Sequence, residues 1–349
     1  MFWGYVFSGF ICLFRAISIG WQFQRGLLLF AVAAAIPIAY SNRSYRVYRS
    51  TLVLIAVVAA VFSIVNSFSL PSQLGAASRF TGYSKGAPAY AAVLGGLLPF
   101  SFWGLWNAKG KAAKLVLALG FLSGTVALVL SGQRAGTGAG IIGLLPLVLT
   151  TTIRKKNIGW SLFLAVLLLL LSFLLMQGSS AERVSFLLRR YSLQSGLSNR
   201  DLLWRKAFSE IAKNPLLGQG IGAAEWVIQS SFHNAYLEVW FNAGLPGLVL
   251  FVASQACFLY RILRLNRLLT DPETKAVLAL ALGYLLGFAF LCAFESPGAG
   301  ASNLNLILYV FLGVLVSGDA LLKVSLVSAR SCRPKTNPEA AVESRYRGC

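Results

Sequence analysis

The chain has 349 residues, of which 57% are hydrophobic and 12% charged, and its mean hydropathy is +0.70. The apolar residues come in long unbroken runs and not in the periodic pattern of a soluble helix, which excludes an ordinary soluble enzyme and points to a protein embedded in a lipid bilayer. The formal net charge of +20 would suit nucleic acid, but the bases sit in short connections between apolar runs and no basic soluble module exists, so no nucleic-acid partner is expected.

A span needs about 20 apolar residues to cross a hydrocarbon core of about 30 Å. In chain order ten are predicted, at roughly 3–20, 26–41, 50–68, 88–106, 113–131, 136–152, 158–177, 245–261, 276–295 and 303–322. The fold class is therefore an all-α polytopic transmembrane helical bundle. The first run, MFWGYVFSGFICLFRAIS, shows no basic leader and no small-residue cleavage site, so it reads as a span even though Arg15 interrupts it. The expected organisation is 1–78, N-terminal spans; 79–177, core spans; 178–244, an external loop with short helices; 245–325, C-terminal spans; and 326–349, a basic tail.

The connections alternate in charge. Arg43, Arg46 and Arg49, then Lys109, Lys111 and Lys114, then Arg154, Lys155 and Lys156, then Arg261, Arg264 and Arg267 all fall on one face of a ten-span bundle. The positive-inside rule makes that face cytoplasmic and puts both termini there. Five cysteines show no CxxC and no metal spacing, and most lie in spans or at the cytoplasmic end, so structural disulfides are not expected.

The same topology leaves the loop after the seventh predicted span outside, and it is too small to hold a catalytic core of its own. Any active site must be shared with the outer ends of the spans. AERVSFLLRRYS places Val184, Leu188 and Tyr191 on one face of an amphipathic helix. SNRDLLWRKAFSEIAKNP predicts a second helix, with Ser198 and Asp201 at its start, Trp204, Phe208 and Ile211 on one face, and a stop at Asn214-Pro215. PLLGQGIG has the glycine spacing of a nucleotide loop but neither the preceding strand nor the βαβ unit, so it reads as a tight turn.

SSFHNAYLEVW follows and contains His233, the sole histidine. One helix from Asn234 to Tyr260 would be about 40 Å long, more than the bilayer core requires. NAGLPG is the natural break, with Gly244 as a stop and Pro246 near a new start. His233 then lies at the N-terminal edge of a short interfacial helix, whose positive end disfavours an imidazolium, so a neutral ring able to accept a proton is expected. Glu238, five residues on, falls on another face and is a poor partner for it. Arg134 in SGQRAGTGAG, and Arg79 and Lys85 in SRFTGYSKGAPAY, belong to the same outer face. Arginine forks match phosphate oxygens and histidine offers a base, which together suit group transfer from a lipid diphosphate.

SGQRAG after a long span, SNRDLLWRKAFSEIAKNPLLGQGIG in the external loop and HNAYLEVWFNAGLPG, which fits H-N-x9-G-x-x-G, resemble the O-antigen ligase and polymerase superfamily of bacterial membrane glycosyltransferases. RFTGYSKGAPAYAAVL is similar to the segment preceding that core, and the likeness runs from about Arg79 to Phe251. The resemblance implies an enzyme of the cytoplasmic (inner) membrane that uses an undecaprenyl-diphosphate-linked glycan donor at its periplasmic face, with a glycan or lipid A core as acceptor, and with neither metal nor cofactor. His233 matches the family's base, and Arg134 and Arg200 its diphosphate ligands. Arg79, Lys85, Gln133, Arg205 and Asn234 are candidate substrate-binding residues beside them. No external carboxylates cluster in the sequence and there is no DxD, so no metal is expected from the spacing either.

A transporter or flippase, for small anions or for the lipid-linked glycan, is the alternative class. Arg15, Glu295 and Asp319, in or near spans, would be its pathway charges. The chain shows no repeated halves and no paired interrupted spans.

Overall fold

The computed structural model describes residues 34–40, 43–69, 80–81, 87–155, 200–220, 223–224, 231–296, 304–318 and 320–322, with backbone alone over 151–155. The predicted spans at 3–20 and 158–177, the amphipathic helix around Leu188, the Ser198 cap, Arg15, Asp319 and the basic tail lie outside the described residues. The rest folds into helices: α1 Tyr45–Ser67, α2 Ala87–Asn107, α3 Lys111–Leu130, α4 Arg134–Lys155, α5 Arg200–Lys213, α6 Ala235–Leu268, α7 Pro272–Phe294 and α8 Leu304–Ser317. Among the described residues there is no strand, and α1, α2, α3, α6 and α7 are each long and apolar enough to cross a membrane. The protein is an all-α membrane bundle.

The helix α1 shows one face outward and one to its neighbours. On α1, Leu54, Val58 and Val61 are exposed, whereas Tyr48, Leu52, Ala56 and Ala60 are buried. A water-soluble protein would hide the first set; in a bilayer they meet hydrocarbon. Two helices, α2 and α7, are apolar all round and the most enclosed, as expected for the centre of the bundle.

Between them lies α4, which begins RAGTGAG. In lipid the hydrophobic effect does not press helices together, so association relies on close backbone contact, and small residues permit it. A Cβ at Gly95 would overlap the Gly136 carbonyl of α4, one at Gly283 would overlap the Gly143 carbonyl, and one at Gly287 would press on the Ala139 carbonyl. This seam seats the start of α4 beside the end of α7, where Ala135, Ala139 and Leu291 share a cluster flanked by Phe290 and Phe294. Gly283→Ala is expected to cost about 1–3 kcal/mol, because backbone and not a flexible side chain must give way. Gly313→Ala, where a Cβ would meet nothing within 4 Å, is the matched control; thermal unfolding of both variants in detergent measures the difference.

The basic connections gather at one end. Tyr45 Oη donates to Glu273 at 3.2 Å and Arg49 Nε pairs with the same carboxylate at 2.8 Å, so the starts of α1 and α7 lie together. Arg261 donates to the Ser317 carbonyl at 2.8 Å, which brings the ends of α6 and α8 together. The other end holds the start of α4, the end of α7, and His233.

Candidate active site

The end that holds His233 is organised by a break in α6. Its helical run is interrupted at Gly244 (φ 67°, ψ −175°), the position where the sequence predicted one helix to stop and a span to start. Breaking the helix leaves carbonyls without intrahelical partners, and the PLLGQGIG turn supplies them: Gln219 N–H donates to Phe241 O at 2.8 Å and Gly220 N–H to Asn242 O at 2.9 Å. Gly218 also has a positive φ, of 69°, and backs onto Gly244 so closely that a Cβ on either would meet the other's backbone. The glycines therefore serve close packing of a turn against a broken helix.

Packing then ties α5 to the short helix. Ala207 and Ile211 of α5 share a cluster with Phe232, Leu237 and Phe241. Trp204 Nε1 donates to Phe232 O and Trp240 Nε1 to Pro215 O, both at 2.9 Å. Phe208 is half exposed and meets Trp240 edge to face. The sequence expected Trp204, Phe208 and Ile211 on one face, and this is the face that packs.

His233 sits one residue before the helix cap. Asn234 caps α6 by accepting the Leu237 N–H at 3.0 Å, and its amide donates to Ala293 O of α7 at 3.1 Å. Ala235 N–H donates to Glu295 O at 3.0 Å. His233 itself has φ 50°, a left-handed conformation uncommon outside glycine, though histidine adopts it more readily than most. Its N–H donates to Ser231 Oγ at 3.1 Å, so the conformation is held by bonds on both sides.

The ring has a definite partner. His233 Nδ1 lies 2.8 Å from Glu295 Oε2, and Arg200 Nη2 lies 2.6 Å from Glu295 Oε1. One carboxylate thus joins the base candidate to an arginine. An ionised carboxylate can only accept, which puts the hydrogen on Nδ1 and leaves the lone pair on Nε2. The carboxylate is 10% exposed, the Arg200 side chain 17% and the imidazole 34%, so the ring is the member of the trio most open to a substrate.

The predicted site residues separate into groups. His233 and Arg200 are brought together through Glu295. Arg134 opens α4 at the level of the end of α7, since its neighbour Ala135 packs with Leu291 and beside Phe294. Gln133 is buried in the turn before it, its N–H bonded to Ser131 Oγ. Asn234 has its carbonyl oxygen and its amide nitrogen both engaged with protein, which makes it a support for His233. Arg205 is exposed on α5. Arg79 and Lys85 lie outside the described residues.

Glu295 is the residue that sequence reasoning missed as a site residue, having counted it among the external carboxylates and the possible pathway charges. A carboxylate at the end of a span was visible, but nothing local linked it to a histidine 62 residues earlier. Glu238, the nearer carboxylate, is 2% exposed and bonded to Ser231 Oγ at 3.2 Å instead. Among the described residues no three His, Cys, Asp or Glu side chains converge.

Residues 117–252 match the family model described as O-antigen ligase. No curated protein matches the chain. The matched stretch contains Arg134, Arg200 and His233 and ends well before Glu295.

Proposed function

We propose, starting from the O-antigen ligase family domain carried by residues 117–252, that the chain is a membrane glycosyltransferase moving a glycan from an undecaprenyl-diphosphate-linked donor to an acceptor sugar hydroxyl at the outer face of the cytoplasmic membrane. The observation that carries this reading is Glu295, which holds His233 Nδ1 at 2.8 Å and Arg200 at 2.6 Å. A histidine fixed through Nδ1 by a carboxylate presents Nε2 as a general base, and the carboxylate stabilises the imidazolium as it forms.

The reaction is a single displacement. His233 Nε2 takes the proton of the acceptor hydroxyl, the hydroxyl oxygen bonds to the anomeric carbon, and the bond from that carbon to the diphosphate oxygen breaks with inversion. The electron pair leaves on the diphosphate, whose growing charge Arg134 and Arg200 meet. Arg200 has two tasks: the Glu295 contact takes one of its five N–H groups and orients the base, and the rest of the fork faces phosphate. An acceptor of either kind, a lipid A core or a second lipid-linked glycan, needs the same base and clamp. A flippase has no use for a histidine oriented in this way, and Glu295, paired on both oxygens, makes a poor pathway charge.

The test is transfer in vitro by purified protein, given a defined lipid-diphosphate glycan and each acceptor in turn, with product mass as the readout. Formation of a glycan–acceptor bond is expected; lipid translocation in vesicles without any transfer would refute the enzyme reading. Arg134→Lys is expected to lose more than about tenfold in kcat/KM, because a point charge does not reproduce a bidentate fork on phosphate. Wild-type turnover in that variant would remove Arg134 from the clamp.

A further inference from the structure

A cavity of about 410 Å³ opens between α1, α2 and the start of α3, at the end of the bundle opposite His233. Val53 and Leu117 belong to its apolar lining, and Arg46, Arg49 and Lys109 line it as well. Arg49 shares its charge with Glu273, at 2.8 Å and with both side chains about two-fifths exposed. Arg46 and Lys109, both exposed, add two further positive charges. Nothing in the proposed reaction uses this end of the molecule.

Trp103 packs the wall of the cavity and is 1% exposed. An apolar lining beside a cluster of cationic side chains is complementary to a molecule that has an acyl chain at one end and a phosphate at the other.

We propose that this cavity is a binding site for one anionic phospholipid of the leaflet facing the basic connections. The phosphate sits among Arg46, Arg49 and Lys109, and an acyl chain lies against Val53 and Leu117. Basic pockets between membrane helices recognise such headgroups through charge and hydrogen bonding together. Because α1, α2 and α3 all contribute to the cavity, the lipid stabilises their packing, independently of the glycosyl-transfer reading.

The test uses the full-length protein in a neutral detergent, with unfolding temperature followed against added phosphatidylglycerol, phosphatidylcholine or inorganic phosphate. Phosphatidylglycerol is expected to raise it saturably. The half-saturating concentration should rise about fivefold for Arg46→Ala or Lys109→Ala and about 25-fold for the pair, from the usual contribution of one basic residue near an anionic lipid. Arg264→Ala/Arg267→Ala, which removes equal charge from the same end but away from the cavity, should leave it unchanged. An unchanged response in the Arg46/Lys109 pair, an equal loss in the Arg264/Arg267 pair, or equal protection by phosphatidylcholine would each overturn the site. Equal protection by inorganic phosphate alone would overturn its assignment to a lipid.

Discussion

Glu295→Gln is expected to lower turnover by about 10²- to 10⁴-fold, the range a general base contributes. The reason is a mismatch of donors. Both partners of the carboxylate, His233 Nδ1–H and the Arg200 guanidinium, donate to it at 2.8 and 2.6 Å. A glutamine of the same shape has one oxygen and one NH2, so it satisfies only one of them. If the oxygen stays with Arg200, the NH2 faces Nδ1 and the ring must carry its hydrogen on Nε2, where it is no longer a base. If the oxygen turns to His233, the NH2 faces the guanidinium and displaces Arg200. Steady-state transfer kinetics check this, with thermal unfolding as the control for folding. A kcat within about threefold of wild type would mean that the carboxylate plays no part in the reaction.

His233→Asn is expected to lose a similar factor, about 10² to 10⁴ in kcat. Asparagine is the informative replacement because the backbone at this position has φ 50°, a conformation it tolerates well, and it has no group to take a proton. His233→Gln, a poorer fit to that backbone, should be impaired at least as much. Transfer rates of the two variants separate a base from a histidine that only positions the acceptor, for which an amide would serve. Since the carboxylate acts through the ring, the double variant Glu295→Gln/His233→Asn should lose little more than either single change. Additive losses would show that the two residues act separately.

The sequence by itself determined those features whose causes are local. Runs such as LVLIAVVAAVFSIV in α1 are apolar enough to require a bilayer, and the described helices fall where the runs predicted them. The break in α6 was readable from NAGLPG, because a glycine able to hold a positive φ followed by a proline is a property of adjacent residues. The helix Arg200–Lys213 and its stop at Asn214-Pro215 were readable for the same reason. His233 and Arg200 were nominated by motif spacing along one segment of chain.

Only the tertiary structure decided what joins them. Glu295 lies 62 residues after His233 and 95 after Arg200, at the end of a different span, and a hydropathy pattern says where spans end but not which ends are neighbours. That choice rests on shape: the glycines of α4 admit the backbones of α2 and α7 at Gly95 and Gly283, and this fixes the end of α7 beside the start of α4. Small residues mark a helix as able to approach another closely while leaving the partner unspecified, because close contact depends on two surfaces at once. The same limit applied to Asn234, which read as a substrate ligand from its place beside His233. Its bonds to Leu237 and Ala293 turn it into the strut that holds the histidine against α7, and only folding brings Ala293 within reach.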